Sequence, residues 1–405
     1  MWGPLTPTAE AQPLPSTGDD VTLPGLTDPP WGAWRTETLD EEGASINTET
    51  AVDDEGRVWV AHDDEPRARI GLKIRDEAGW HDHPADHDTA FVDDFALGPD
   101  GQGWVVWMNN ADTRLEVFDP DEEAWSRIDV PTDGSNPRIA FGPDGETLHV
   151  ILVDVGSPDV VKHGAYDLTA GEWAFESITT QGLGWLDMAV GPEGHVHAVW
   201  TRHNTASTYA HRTLDGTWQV EKTEECRDHA LATDTGGTVH WVCNNDQGIV
   251  YTQRSSEGVE VSREVAQDGS ELVPPRAGGD VGFSLDIVVD AHDRPHVVYT
   301  TTIDPFFPDD PTEPALPVYA VELADGWHSQ EIDREGTWAG FQTSLALDQE
   351  GRPHVSYVHK RHAWAPSCAE PYNDCDQLRY AEPFAATAAW ATDGVTGTVG
   401  VDGVG

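Results

Sequence analysis

The chain has 405 residues, 73 of them acidic and 23 basic, for a formal net charge of −50. That balance excludes nucleic acid as a partner, because phosphate backbones need Lys and Arg to displace counterions, and it disfavours docking on anionic lipid. Hydrophobic residues make up 38% and Trp alone contributes 17, too many large apolar side chains for a disordered acidic chain, so a folded core is expected.

Residues 1–30 are rich in Pro and Thr and read as a flexible leader. They carry neither the basic flank nor the apolar stretch of a signal peptide. Such a leader often follows an export or lipid-anchor site. No run of 18 apolar residues occurs, so no transmembrane helix is predicted. WRTETL (34–39) reads as a lone strand. From there a repeat runs along the chain: AVDDEGRVWV (51–60), ALGPDGQGWV (96–105), AFGPDGETLHV (140–150), AVGPEGHVHA (189–198), ATDTGGTVHW (232–241), VVDAHDRPHV (288–297) and ALDQEGRPHV (346–355). The shared turn residue is Gly56, Gly101, Gly145, Gly194, Gly237, Asp293 and Gly351, recurring every 43 to 58 residues.

Each unit reads as four strands. An apolar strand with a small residue leads into a type I turn closed by a residue at positive φ, where Asp293 is tolerated in place of Gly. An alternating strand opened by His or Trp follows, then a short aromatic strand. The fourth usually opens with Trp, as at Trp34, Trp80, Trp125, Trp173, Trp218 and Trp327. Nothing sustains a helical period. Four-strand units at this period predict an all-β, seven-bladed β-propeller over 31–385, four antiparallel strands per blade. The chain enters on a fourth strand and leaves on the third strand LRYAE (378–382). The N-terminal strand is therefore expected to complete the last blade, with AAWATDG (388–394) as the rival. Residues 386–405 read as a Gly/Ala/Val/Thr-rich tail. The repeated His is expected to tie its hairpin to the turn Asp, and the Trp stripe to pack between blades.

LALDQEGRPHVSYV (345–358) and IVVDAHDRPHVVYT (287–300) resemble the Asp-x-x-Gly-x-x-His-Val-x-Tyr repeats of bacterial secreted seven-bladed propellers, grouped loosely with sialidase-like or BNR-repeat proteins. The resemblance implies fold and export. The sialidase Asp-box is not matched, and neither the arginine triad nor the Tyr–Glu pair of sialidases can be assembled from spacing. Propeller polysaccharide lyases use a His/Tyr acid–base pair, and His and Tyr are plentiful here.

Candidate sites follow from position. Seven residues before each turn residue stand Glu49, Asp94, Arg138, Asp187, Ala230, Asp286 and Ser344. The four carboxylates share one register and should ring the mouth of the central channel, where they suit a hard cation such as Ca²⁺; no cofactor is required. In WHDHPADHD (80–88), His81, His83 and His87 form a second metal candidate. Long loops at 303–317 and 359–377 carry Phe306, Phe307, Trp364 and Tyr372, a candidate ligand surface. Cys226 with Cys243 and Cys368 with Cys375 are expected disulfide pairs, placing the protein in an oxidising extracellular, periplasmic or cell-surface setting. A halophilic origin would account equally for the acidity. The sequence is read as a monomeric, secreted, non-catalytic propeller that binds a protein or glycan through loops on one face. The alternative is a glycan-active enzyme, a polysaccharide lyase or sialidase-like glycosidase, using His, Tyr and carboxylates of that face.

Overall fold

The computed structural model describes residues 33–384, except 41–43, 65–68, 86–90, 110–111, 155, 157–158, 180–184, 202–205, 227, 246–247, 257, 268–284, 301–315, 334–338 and 360–376. Leader and tail lie outside the described residues. These fold as seven four-stranded antiparallel sheets in a ring, with no helix among them. Among the described residues no helix is long and apolar enough to cross a membrane. We number the blades 1 to 7 by their innermost strands: Ala44–Val52, Phe91–Leu97, Ser135–Phe141, Leu186–Val190, Asp228–Thr233, Leu285–Val289 and Ala339–Leu347.

The ring closes on the N-terminal strand. Trp34–Asp40 forms the outermost strand of blade 7, antiparallel to Gln377–Pro383, with Trp34 opposite Pro383 and Thr38 opposite Arg379. AAWATDG lies outside the described residues, but the edge it would have occupied is taken.

The repeat acts through its turns. Gly56, Gly101, Gly145, Gly194, Gly237 and Gly351 have φ between 65° and 85°, and Asp293 takes the same conformation at 60°. Three residues earlier, Asp organises four of the turns. Asp290 Oδ1 accepts the backbone N–H groups of His292 (2.8 Å) and Arg294 (2.9 Å), while its Oδ2 faces His296 Nε2 at 3.3 Å. Asp234 with His240 and Asp348 with His354 repeat this arrangement, and Asp53 receives Trp59 Nε1 instead, at 2.8 Å. The other imidazole nitrogen takes a tyrosine hydroxyl from the third strand: His240–Tyr251 (2.7 Å), His296–Tyr319 (2.5 Å) and His354–Tyr380 (2.5 Å). The expected hairpin tie is therefore a three-residue relay across three strands. Where Gly replaces Asp, as in blade 4, His197 keeps its tyrosine, Tyr209, at 2.7 Å.

The Trp stripe packs between blades. Trp34 sits against Tyr319 of blade 6, Trp80 against Tyr380 of blade 7, Trp218 against His163 of blade 3 and Trp327 against Tyr251 of blade 5, with ring centroids 5.1 to 5.4 Å apart. Each of these four indoles thus covers the third strand of the preceding blade, where large aromatic area removed from water stabilises the seam, whereas the rings of Trp125 and Trp173 pack on Phe118 and Tyr166 of their own blades.

Candidate functional site: the mouth of the central channel

The innermost strands alternate. Phe95, Met188 and Ile287 point between blades and are buried in the apolar clusters there. One residue earlier, Asp94, Asp187 and Asp286 point to the ring axis, with Glu49 and Arg138. A one-residue slip would exchange the two sets. Together these side chains line a cavity of about 150 Å³ at the channel mouth. The tight turns lie at the opposite ends of the same strands.

Three of the ring carboxylates bridge blades. Asp94 accepts the N–H of Phe95 (2.8 Å) with one oxygen and that of Ile139 in blade 3 (2.7 Å) with the other. Asp187 does the same with Met188 (2.8 Å) and Leu231 of blade 5 (2.6 Å), and Asp286 with Ile287 and Leu345 of blade 7, both at 2.7 Å. Ser344 stands in the same register in blade 7, and its Oγ accepts the N–H of Thr50 in blade 1 at 2.9 Å. Asp93 and Glu49 make no such bridge in the described hydrogen bonds.

Alternation breaks just above this ring. The inner strands of blades 1, 2, 3 and 7 carry register shifts at the mouth, between Ala44 and Thr48, Val92 and Asp94, Ser135 and Arg138, and Phe341 and Thr343. Bulges re-aim side chains, and here they turn Asp93, Asn136 and Gln342 toward the cavity beside the regular ring. Asn136 and Gln342 take positive φ, 50° and 47°. Asp228, His229 and Trp185 complete the polar part of the rim.

The electrostatics are lopsided. Six carboxyl groups face one guanidinium. Burial works against the charge on Arg138, but Asp94, Glu49 and Asp187 overcome it and hold the guanidinium above its ordinary value. Arg138 Nη1 itself donates to the backbone oxygens of Asp93 (2.5 Å) and Pro137 (3.0 Å). Burial, only partly offset by Arg138, lifts Asp93 to about 7, and burial likewise raises Asp187 to about 6 and Asp286 to about 7. Glu49 is raised well above the ordinary range, first by burial and then by repulsion from Asp94. Burial lowers His229 to about 4, so its imidazole is neutral at physiological pH.

Of the second metal candidate, His81 and His83 lie in and just after the outer strand Gly79–Asp82 of blade 1. His81 Nε2 faces Asp76 at 3.2 Å, and His83 packs on Phe118, with ring centroids 4.8 Å apart. His87, Phe306, Phe307, Trp364, Tyr372, Cys368 and Cys375 lie outside the described residues. Among the described residues no three His, Cys, Asp or Glu side chains are grouped to hold a metal ion. Cys226 and Cys243 form a disulfide with their Cα atoms 5.5 Å apart. Register reasoning missed Asp93 and His229, because a period of two puts neighbours of ring residues on the other face, and it missed Asp228, which shares the face of Ala230, because that ring position carries no charge to draw attention to blade 5. The adjacent acids Asp93–Asp94 were the available signal, since both can face the axis only through a bulge.

These features define a seven-bladed β-propeller with an acidic, partly enclosed channel mouth. No protein-family model matches the sequence, and no curated protein is significantly similar to it. Solved structures match across the ring. Virginiamycin B lyase from Staphylococcus aureus is 12% identical with a TM-score of 0.56, covering 87% of this chain and 100% of its own. YCF48 bound to D1 peptide is 14% identical with a TM-score of 0.51, covering 88% and 99%. The Dos1 propeller is 8% identical with a TM-score of 0.50, covering 86% and 94%. At these identities the likeness concerns the fold alone.

Proposed function

We propose that the protein is a non-catalytic binding propeller whose ligand, a protein or a glycan, docks on the face that carries the acidic mouth. One observation carries this reading: the mouth gathers six carboxyl groups, bulged inner strands and a cavity at the end of the ring opposite the tight turns. The strand ends Gln267 and Leu285, Thr300 and Pro317, and His359 and Gln377, which flank the three longest inter-strand connections, lie at that same end.

The enzyme reading asks for a His/Tyr acid–base pair at the site. The His–Tyr pairs at 240–251, 296–319 and 354–380 are buried beside the tight turns, at the far end from the mouth, and are committed to the hairpins. Structures of similar fold include both a lyase and a peptide-bound protein, so the fold favours neither reading and the support comes from the residues. An extracellular, periplasmic or cell-surface place fits the Cys226–Cys243 disulfide, since such bonds persist where the surroundings are oxidising, and it fits the resemblance of the repeats to secreted propellers.

The test is a peptide and glycan array set beside an activity screen on acidic polysaccharides. Binding without turnover is expected. New reducing ends or unsaturated uronates would overturn the reading in favour of a glycosidase or lyase.

A further inference from the structure

The carboxylates of the mouth divide into two groups. Asp94, Asp187 and Asp286 have both oxygens on backbone N–H groups and hold seams. Other acceptors at the mouth are not used by the fold. Asp93 Oδ2 is buried and has no hydrogen-bond partner. His229, 5% exposed, is bonded through Nε2 to the Val199 carbonyl at 3.1 Å, and its Nδ1 is buried without a partner. Thr343, 7% exposed, has Oγ1 buried and unbonded. All three residues line the same cavity. Buried polar atoms without partners are rare in native folds and each calls for a reason.

The missing partner has a definite chemistry. With Nε2–H donating to Val199, the neutral imidazole presents a lone pair at Nδ1. Asp93 Oδ2 presents lone pairs beside Asp94, in a cavity that Glu49 also lines. The one cationic donor among the described lining residues, Arg138, is turned to backbone carbonyls. The mouth therefore offers acceptors and negative charge, and what it lacks is a positively charged donor. A metal ion suits it poorly, because the ring oxygens would have to release the seam amides and no three ligands are grouped for one among the described residues.

Resting on the binding role proposed above, we propose that the mouth takes a protonated amine or guanidinium, the end of a Lys or Arg side chain on a polypeptide partner, with Asp93 Oδ2, His229 Nδ1 and Thr343 Oγ1 as its acceptors. A long, flexible stem suits a site at the mouth of a channel, because it delivers the charge while the rest of the partner stays on the outer face. A net charge of −50 steers a basic partner to the ring, and the mouth fixes where its cation stops.

The experiment is calorimetric titration of the full chain with a Lys-containing and an Arg-containing acetylated peptide amide. Arms with the same peptide carrying N-acetyl-lysine, with spermidine, with a chitooligosaccharide and with Ca²⁺ accompany it, all at about 0.3 M salt to screen loose surface attraction. Variants are Asp93→Asn and Thr343→Val, with Asp121→Asn on an outer hairpin as the control for charge alone. The two basic peptides are expected to bind, the acetylated peptide not to, and Asp93→Asn to weaken binding by about 10-fold while Asp121→Asn leaves it unchanged. Circular dichroism of each variant keeps loss of fold apart from loss of site. Equal binding of the acetylated peptide, no effect of Asp93→Asn, or no binding of either basic peptide overturns the inference. So does spermidine matching the peptides, which makes the source a free amine, or Ca²⁺ competing at the same residues. Capture of the chitooligosaccharide with no competition by Lys peptide overturns it too, yet leaves the binding role standing.

Discussion

Asp286 of blade 6 accepts the backbone N–H of Leu345 in blade 7 at 2.7 Å, across the seam between two innermost strands. The sheets are separate hydrogen-bonded units, so this bond and its equivalents from Asp94 and Asp187 fasten backbone to backbone where strand pairing cannot. Asp286→Ala should therefore destabilise the fold by about 2 kcal/mol, the cost of leaving a buried amide without its acceptor. Space is not the issue, because Ala230 occupies the same register in blade 5. Urea unfolding checks this, and a loss below about 0.5 kcal/mol would contradict the bridging role.

Glu49 behaves differently because no backbone bridge uses it. Burial and Asp94 raise its carboxyl. Raised acids favour the folded state at low pH, where the native carboxyl keeps its proton after the unfolded one has lost it. That advantage disappears as pH rises through the native value. Glu49→Gln should accordingly raise the melting temperature at pH 8, by roughly 2 °C, and leave it unchanged at pH 4. Scanning calorimetry at the two values decides, and an equal shift at both would refute the electrostatic cause.

Gly71 lies directly under the His62 ring. A Cβ built there would stand 2.1 Å from His62 Nε2. His62 is buried, with Nδ1 bonded to the Asp63 carbonyl at 3.0 Å, and burial lowers it to about 4. Gly71→Ala should cost about 3 kcal/mol by overpacking, and the double variant Gly71→Ala/His62→Ala should recover part of it. A neutral single variant would mean that the ring can move aside.

The Cys226–Cys243 bond closes a loop of 17 residues. Reduction should lower stability by about 3 kcal/mol without opening the ring, since the rest of blade 5 is held by its strand pairing. Denaturation with and without reductant measures this. Identical curves would place the bond outside the cooperative unit.

Removing residues 1–40 takes away the outer strand of blade 7 and bares the edge of Gln377–Pro383. Trp34, which packs on Tyr319, goes with it. An unpaired edge next to uncovered aromatic surface is a template for association. The truncated chain should form oligomers in sedimentation analysis, whereas a monomer of unchanged stability would show that closure does not depend on the clasp.

The ring was legible in the sequence because its turns are chemically constrained. Position 293 must adopt positive φ, and only Gly, Asp or Asn does so readily, so even the exception at Asp293 announced the turn. The hairpin histidines were legible as far as their Asp partners, six residues away. Their tyrosine partners were not, because these come from a third strand whose register depends on loop length. The axial direction of Glu49, Asp94, Asp187 and Asp286 followed from a period of two. That three of them bridge seams did not, since Ile139, Leu231 and Leu345 stand 44 to 59 residues downstream and no local pattern links them. Asp93 and His229 were hidden by the same periodicity that revealed the ring.

Hydrogen-exchange footprinting of the ligand selected on the arrays tests the account most directly. If the acidic mouth is the binding site, protection falls on residues 91–95, 135–139 and 228–231, while the turns at 53–56, 98–101 and 348–351 exchange as in the free protein. Protection confined to the turn face or the outer strands, with the mouth unchanged, would contradict the account.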